Sequence, residues 1–343
     1  LAAVWAGGHF VPLPIDLLTD GSAAAAPHML AMLQDVQVVF CSPQHVETLE
    51  KLTASSLHPP KLLPIDDAEL MGAEPARLCM ANDGSYDGTA TVAVDRCGEA
   101  MAAHHRFCTF HTSGTTGSPK AVHSTHAEFA AFATAAAAPY RLSADSRIFV
   151  ATSHVFDPSA GMEFAAWAAG AAVCLAPWQQ TLQHLREYVE LTGATHACST
   201  PSVWALYALD GATSATVPGT VLLGGEPMPV ELIRAWLNLG VTLVNTYGTT
   251  EATVYQFAYV LPPAIASLPD ADIQQHALCL GEPFDGISVD VVSSSDASTL
   301  EATAGELVLS GLQVGGPDRW NGTSDRFYTG DLVRRTATGG LAF

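Results

Sequence analysis

Short apolar runs at residues 36–41, 61–65, 147–151, 171–175, 221–223 and 241–245 alternate with helical patterns at 27–33, 127–137, 161–169, 181–191, 202–209 and 229–239. Runs apolar at every position belong to strands buried on both faces, and parallel strands need a crossover helix to bring the chain back. The alternation therefore predicts an α/β fold of parallel sheets covered by helices, with ligands at the carboxyl ends of strands. After Leu261-Pro262-Pro263 the texture changes to short alternating runs at 287–292, 305–309 and 326–334, separated by Gly, Ser and Asp. These predict a small antiparallel barrel. Residues 73–105 lack periodicity and read as an irregular insertion.

A strand expected at 106–110 leads into His111-Thr112-Ser113-Gly114-Thr115-Thr116-Gly117-Ser118-Pro119-Lys120, which holds hydroxyls, two glycines and a lysine but no acid. Glycines let the backbone approach a ligand closely, and successive N–H groups form a concavity for an anion. Lys120 is one of three lysines, with Lys51 and Lys61, in a chain of net charge -20. The stretch reads as a phosphate cradle, with a Ser/Gly-rich surface turn as the alternative. It is not the P-loop of kinases and GTPases, which has four residues between its glycines and then Gly-Lys-Ser/Thr. Here Gly114 and Gly117 are closer, and Pro119 and Ala121 flank the lysine.

Four more strings stand out, three of them just after expected strands. In Asn245-Thr246-Tyr247-Gly248-Thr249-Thr250-Glu251 the tyrosine offers an aromatic face to a purine and Glu251 a hard oxygen to magnesium. An ordinary turn before a helix reads the same way. Gly224-Gly225-Glu226 admits a flat ligand or starts a helix, and Tyr328-Thr329-Gly330-Asp331 by itself is a hairpin turn. In His154-Val155-Phe156-Asp157-Pro158-Ser159 the aspartate is either a helix N-cap or a buried anion.

Together and in this order, the strings resemble the signatures of the adenylate-forming enzymes, which include acyl-CoA synthetases, luciferases and nonribosomal peptide synthetase adenylation domains. The loop resembles [ST]-S-G-[ST]-[ST]-G-x-P-K-G, with Ala121 in place of the last glycine. The segment 245–251 resembles N-x-Y-G-x-T-E, with Thr249 where many members have proline. Residues 224–226 resemble the family's G-G-E, and 328–331 its Y-x-T-G-D. Residues 305–311 and 7–13 match two mainly structural motifs.

The resemblance implies two doubly wound α/β lobes with a small distorted β-barrel, the N-terminal core of the adenylate-forming fold. Residues 1–126 would form the first lobe with the phosphate loop, 127–262 the second with the adenine and substrate pocket, and 263–343 the barrel. The start of the core and a C-terminal domain carrying a catalytic lysine are expected outside the chain, which reads as a fragment.

The resemblance also implies roles. Thr112 to Lys120 would hold the phosphates of ATP, and Thr116 and Glu251 would hold Mg²⁺. Lys120, Glu251 and His126 would act in catalysis, although His126 also suits a plain helix start. Gly224, Gly225, Glu226, Asn245, Thr246, Tyr247, Gly248 and Thr250 would surround the nucleotide, with Tyr247 against adenine and Asp331 accepting from both ribose hydroxyls.

In amino-acid-activating members the F-D-x-S aspartate, here Asp157, pairs with the substrate ammonium. Fatty-acyl and aryl activators generally lack it, because an unpaired charge beside an apolar tail is costly. Pro158, Gly161, Cys198, Leu222, Gly224, Thr246, Val254 and Tyr255 would line a pocket without a second charge, suited to a small or apolar amino acid. The Asp-Pro-Ser form resembles β-alanine-activating and aminoadipate-type enzymes. The implied reaction is ATP-dependent formation of an acyl-adenylate, then transfer to the phosphopantetheine thiol of an acyl or peptidyl carrier protein. The alternatives are an acyl-CoA synthetase and a truncated, non-catalytic nucleotide-binding homologue.

Bulk properties narrow the partners. Thirty-four acids against 14 bases, with no basic cluster, argue against a nucleic-acid surface. The longest apolar run, 164–177, is short of the roughly 18 residues of a membrane span. Seven scattered cysteines without a C-x-x-C pair fit reduced thiols, and a cytoplasmic location is expected.

Overall fold

The computed structural model describes residues 10–13, 30, 32–33, 36, 38–41, 43–54, 59–64, 104–113, 119–207, 209, 211–292, 304–315, 326–336 and 340–343. The backbone forms two compact units, Leu1–His123 and Ser124–Phe343.

In the first unit β1 (Val38–Cys41) pairs in parallel with β2 (Lys61–Pro64) in the register Val38↔Lys61. Helix α1 (Val46–Thr53) lies between them in sequence and buries Leu49 with Leu33 and Val39. The two strands fall on the apolar runs at 36–41 and 61–65, whereas α1 lies outside the helical patterns expected from the sequence. Strands β3 (Arg106–Ser113) and β4 (Pro119–Thr125) form a separate two-stranded sheet. Phe10 bridges Cys108 and packs edge-on against Phe107 at 5.4 Å and Phe110 at 6.1 Å between ring centroids.

Among the described residues of the second unit one sheet carries eleven strands. Its parallel part runs, in spatial order, β9 (Thr242–Tyr247), β8 (Thr220–Gly224), β7 (His196–Ser199), β5 (Arg147–Val150) and β6 (Ala172–Cys174). Helices α2 (His126–Ala136), α3 (Asp157–Ala168), α4 (Trp178–Thr192), α5 (Pro201–Trp204) and α6 (Val230–Asn238) intervene. Thr125 and Glu128 form a reciprocal capping box at the start of α2, satisfying two backbone donors that a helix leaves open. Helix α5 is shorter than the pattern at 202–209 predicts. The chain leaves the helix after Trp204, and the Tyr207 hydroxyl donates to the Thr216 carbonyl at 3.3 Å.

The change of texture after the parallel strands is a change of pairing. Strand β10 (Phe257–Val260) runs antiparallel to β9, and β11 (Cys279–Pro283), which follows α7 (Asp270–Ala277), is antiparallel to β10. Strands β12 (Ile287–Val292), β13 (Ala304–Gly311), β14 (Phe327–Arg335) and β15 (Leu341–Ala342) continue the antiparallel end. Strand β11 pairs with β10 and also with β15, so parallel and antiparallel parts share one sheet.

One sheet face is hydrocarbon. Phe149, Ala197, Val221, Leu223 and Leu243 pack there in a cluster that includes Trp204 and Trp236, whose rings lie 5.1 Å apart. The residues between them in sequence point the other way, because strand side chains alternate.

Candidate active site

That second face brings together residues from distant parts of the sequence. Cys198 on β7 is the register partner of Leu222 on β8, and Gly224 on β8 is the partner of Thr246 on β9. Leu222 and Gly224 are two apart, so all four lie on the face opposite the hydrocarbon cluster. The Thr246 hydroxyl donates to the Leu223 carbonyl at 3.1 Å. A Cβ on Gly224 would meet Thr246 Oγ1 and come within 2.9 Å of Tyr255 Cε1, so glycine lets the Tyr255 ring lie against the strand. A Cβ on Gly161 of α3 would be 2.6 Å from Val254 Cγ1 and 2.9 Å from Phe132 Cε1. Val254 and Tyr255 thus close in on two glycines. Cys198 is buried, and burial pushes its thiol up to about 12, so it stays protonated at neutral pH.

Asp157 is the first residue of α3, and Phe156 takes the cap position without a side-chain cap bond. The helix-cap alternative therefore fails. The carboxylate reaches across to the loop after β9, accepting from the Thr250 hydroxyl and the Val254 amide, each at 2.9 Å. Burial pushes its carboxyl up to about 6, even though these donors pull the other way, and the charge of Glu251 adds to the rise. Pro158 follows at the half-buried start of α3.

The loop itself is strained. Thr253 has φ +70 and Val254 φ +67, a region that β-branched residues avoid, at roughly 1–3 kcal/mol each. Two buried glutamines that the sequence reading did not single out brace it. Gln256 Nε2 donates to the carbonyls of Ala252 at 2.9 Å and Thr253 at 3.1 Å, while its Oε1 accepts from the Thr249 amide at 2.9 Å. Gln313 Nε2 donates to the Thr253 carbonyl at 2.7 Å and to that of Tyr255. A glutamine inside the otherwise apolar run 254–260 was the available signal for Gln256.

On the other side of β9 the Tyr247 hydroxyl donates to Asp331 Oδ2 at 2.5 Å. Burial, and then the neighbouring Asp331, raise the Tyr247 hydroxyl's pKa. The Thr329 hydroxyl accepts from the Asp331 amide at 3.1 Å and donates to the Leu307 carbonyl at 2.9 Å, while the Gly330 amide donates to Glu306 Oε1 at 3.0 Å. The Asp331 carboxylate is therefore fixed beside an aromatic ring. Asn245 turns its amide to the carbonyls of Ala277, at 3.3 Å, and Cys279, at 2.9 Å, tying β9 to the segment that enters β11. Gly225 has φ +86, and Glu226 accepts from the Ser202 amide at 2.7 Å and from its hydroxyl. Burial opposes it, but the Ser202 donors hold the Glu226 carboxyl below its usual range.

Gly248 and Thr250 are half-buried, and Glu251 lies half-buried in the 3-10 turn Thr250–Ala252. His126 opens α2. In the first unit Thr112 and Ser113 end β3, while Pro119 and Lys120 open β4, with Lys120 exposed. Gly114, Thr115, Thr116, Gly117 and Ser118 lie outside the described residues. No cluster of three or more His, Cys, Asp or Glu residues suited to a metal occurs among the described residues. Nor is any helix among them long and apolar enough to cross a membrane.

The profile of the AMP-binding enzyme family matches residues 1–316. The chain belongs to the AMP-binding enzyme family. This member is 28% identical over 314 residues, 91% of its length, to "Nonribosomal peptide synthetase 4" of Gibberella zeae, of which it spans only 4%. Its fold is similar to the N-terminal domain of FACL13 from Mycobacterium tuberculosis, with TM-score 0.73 and 18% identity over 99% of this chain and 80% of that one. It is also similar to McyG A-PCP complexed with phenylalanyl-adenylate, with TM-score 0.69 and 16% identity over 94% of this chain and 59% of that one. The α/β core expected from the motif strings is thus the fold of this AMP-binding enzyme.

The position of Asp157 fixes how stability responds to pH. A carboxyl raised in the folded state binds its proton more tightly there than in the unfolded chain, so its contribution is full below about pH 4 and is lost as pH rises past about 6. The rise from 3.8 to about 6 corresponds to roughly 3 kcal/mol. Urea unfolding of the wild type and Asp157→Asn should therefore diverge by that order in favour of the variant between about pH 4 and pH 7. A difference independent of pH would contradict the buried, raised carboxyl.

Proposed function

We propose that the chain is the core of an ATP-dependent, AMP-forming ligase that activates a small amino acid. The observation carrying this reading is Asp157, a buried carboxyl bonded to Thr250 and Val254, while Gly161, Cys198, Leu222, Thr246 and Val254, which would line the acid pocket, are uncharged. A buried anion needs a cationic partner, and a substrate ammonium supplies one. Val254 lies close against Gly161 and Tyr255 against Gly224, which favours a short substrate side chain.

In the proposed reaction a substrate carboxylate oxygen bonds to the α-phosphorus of ATP, the bond to the bridging oxygen breaks, and pyrophosphate leaves. Residues 112–120 would hold the phosphates, Tyr247 would face the adenine, and Asp331, steadied by Tyr247 and Thr329, would accept from the ribose hydroxyls. Magnesium usually takes one or two carboxylates and completes its shell with phosphate oxygens and water, so the half-buried carboxylate of Glu251 in the turn after β9 is of the kind that would hold it. When bound, the ion would offset charge on the phosphates. The phosphopantetheine sulfur of a carrier protein would then bond to the acyl carbon, and the bond to the adenylate oxygen would break, releasing AMP and the thiol proton. Cys198 is a poor acceptor, since its thiol is buried and held protonated, which favours a thiol from outside. Similarity to a nonribosomal peptide synthetase and to the fold of a phenylalanyl-adenylate complex supports the amino-acid class.

In the complete protein, ATP–pyrophosphate exchange should depend on an amino acid and collapse in Asp157→Ala. Equal or faster exchange with simple fatty acids would move the chain to the acyl-CoA synthetase class. Lys120→Ala should weaken MgATP binding by about 1.5–3 kcal/mol, the contribution of a charge-assisted contact. Calorimetry giving unchanged ATP affinity in the folded variant would remove the phosphate role of the loop.

A further inference from the structure

We propose that Gln313 is a positioning residue of the acid pocket, which holds Val254 and Tyr255 in place and so sets the size of acid accepted. The inference rests on the amino-acid reading above for its substrate, but its geometry stands alone. Gln313 is 1% exposed and lies just after β13, 60 residues from Thr253 and 58 from Tyr255. Its one amide nitrogen donates to the carbonyls on either side of Val254, whose own amide is taken by Asp157. The backbone from 253 to 255 is thus pinned by two side chains from distant elements, at the two β-branched residues with positive φ.

The two remaining braces differ in reach. Gln256 binds carbonyls only three and four residues away and serves as a local turn brace. Gln313 brings its donors from the antiparallel end of the sheet, whose next strand carries Asp331. The orientation of its amide is forced, because two carbonyls can be met only by the donor nitrogen. Its Oε1 is left buried without a hydrogen-bond partner among the described residues. A buried acceptor without a donor destabilises a fold, so an apolar side chain of equal length would be the better packing choice. The side chain is explained by its donors.

Without those donors the carbonyls on either side of Val254 lose their long-range hold, and the positive φ of Thr253 and Val254 rests on Gln256 and Asp157, which makes a shift towards negative φ easier. That moves the Val254 side chain off Gly161 and Phe132, and the Tyr255 ring off Gly224. The nucleotide side, fixed through Tyr247 and Asp331, keeps its own bonds.

The test is Gln313→Met, equal in length and without donors, measured in the complete protein by ATP–pyrophosphate exchange with the preferred amino acid and a bulkier homologue. The KM for the amino acid should rise on the order of tenfold, as expected for two lost neutral hydrogen bonds. The KM for ATP should change less than about twofold, and the preference for the smaller acid should fall. Gln313→Glu, whose ionised carboxylate would face two carbonyls, should shift the acid KM further in the same direction. A fall in kcat alone, or equal changes in both KM values, would overturn the proposal, as would recovery of both variants only as unfolded chain. Amide hydrogen exchange over residues 253–255 of the ligand-free protein separates this inference from the amino-acid reading. Faster exchange in Gln313→Met supports the clamp whichever acid is activated, and unchanged exchange overturns it.

Discussion

The contact between Asp157 and the loop after β9 is where the physical demands of this chain meet. A carboxylate taken out of water must find donors or a cation. Asp157 finds two donors, the Thr250 hydroxyl and the Val254 amide, and burial still wins, leaving the carboxyl raised to about 6. The same contact holds Val254 at a backbone angle it would not choose. One residue therefore joins the start of α3 to the loop carrying Glu251 and to Val254, which packs against Gly161.

The sheet makes this contact possible by separating its two faces. Trp204, Trp236 and Phe149, Val221, Leu223 and Leu243 of the parallel strands fill one face and supply much of the burial. The other face is then free to carry Cys198, Gly224 and Thr246, a poorer core but a usable wall. The antiparallel end supports the same loop from the far side. Asp331 meets Tyr247 before the loop and Gln313 meets Thr253 and Tyr255 within it.

Much of this was legible in the residues. Apolar runs located the parallel strands other than β7, which no run marked, and the change of texture after residue 262 fell just behind the switch to antiparallel pairing, since β10 is already antiparallel to β9. Motif strings located Tyr247, Asp331 and Asp157, although their roles came from resemblance to a family. Three features were not legible. Whether Asp157 capped its helix depended on which residue took the cap position, a matter of one residue in helix start. Asn245 stands in a motif, yet its amide serves the carbonyls of Ala277 and Cys279, which only the fold of α7 brings near. Gln256 and Gln313 act on a loop conformation that no periodicity encodes, and Gln313 does so from about 60 residues away.

The central claim is that Asp157 waits, partly protonated, for a cation. Calorimetry of amino-acid binding in buffers of different ionisation enthalpy reads this directly. An ammonium group lowers the carboxyl pKa, so binding near pH 5.5 should release a fraction of a proton, and the release should vanish above about pH 7.5. Affinity should rise with pH across the same interval. Binding without proton release near pH 5.5, or with the same release from Asp157→Asn, would contradict the account.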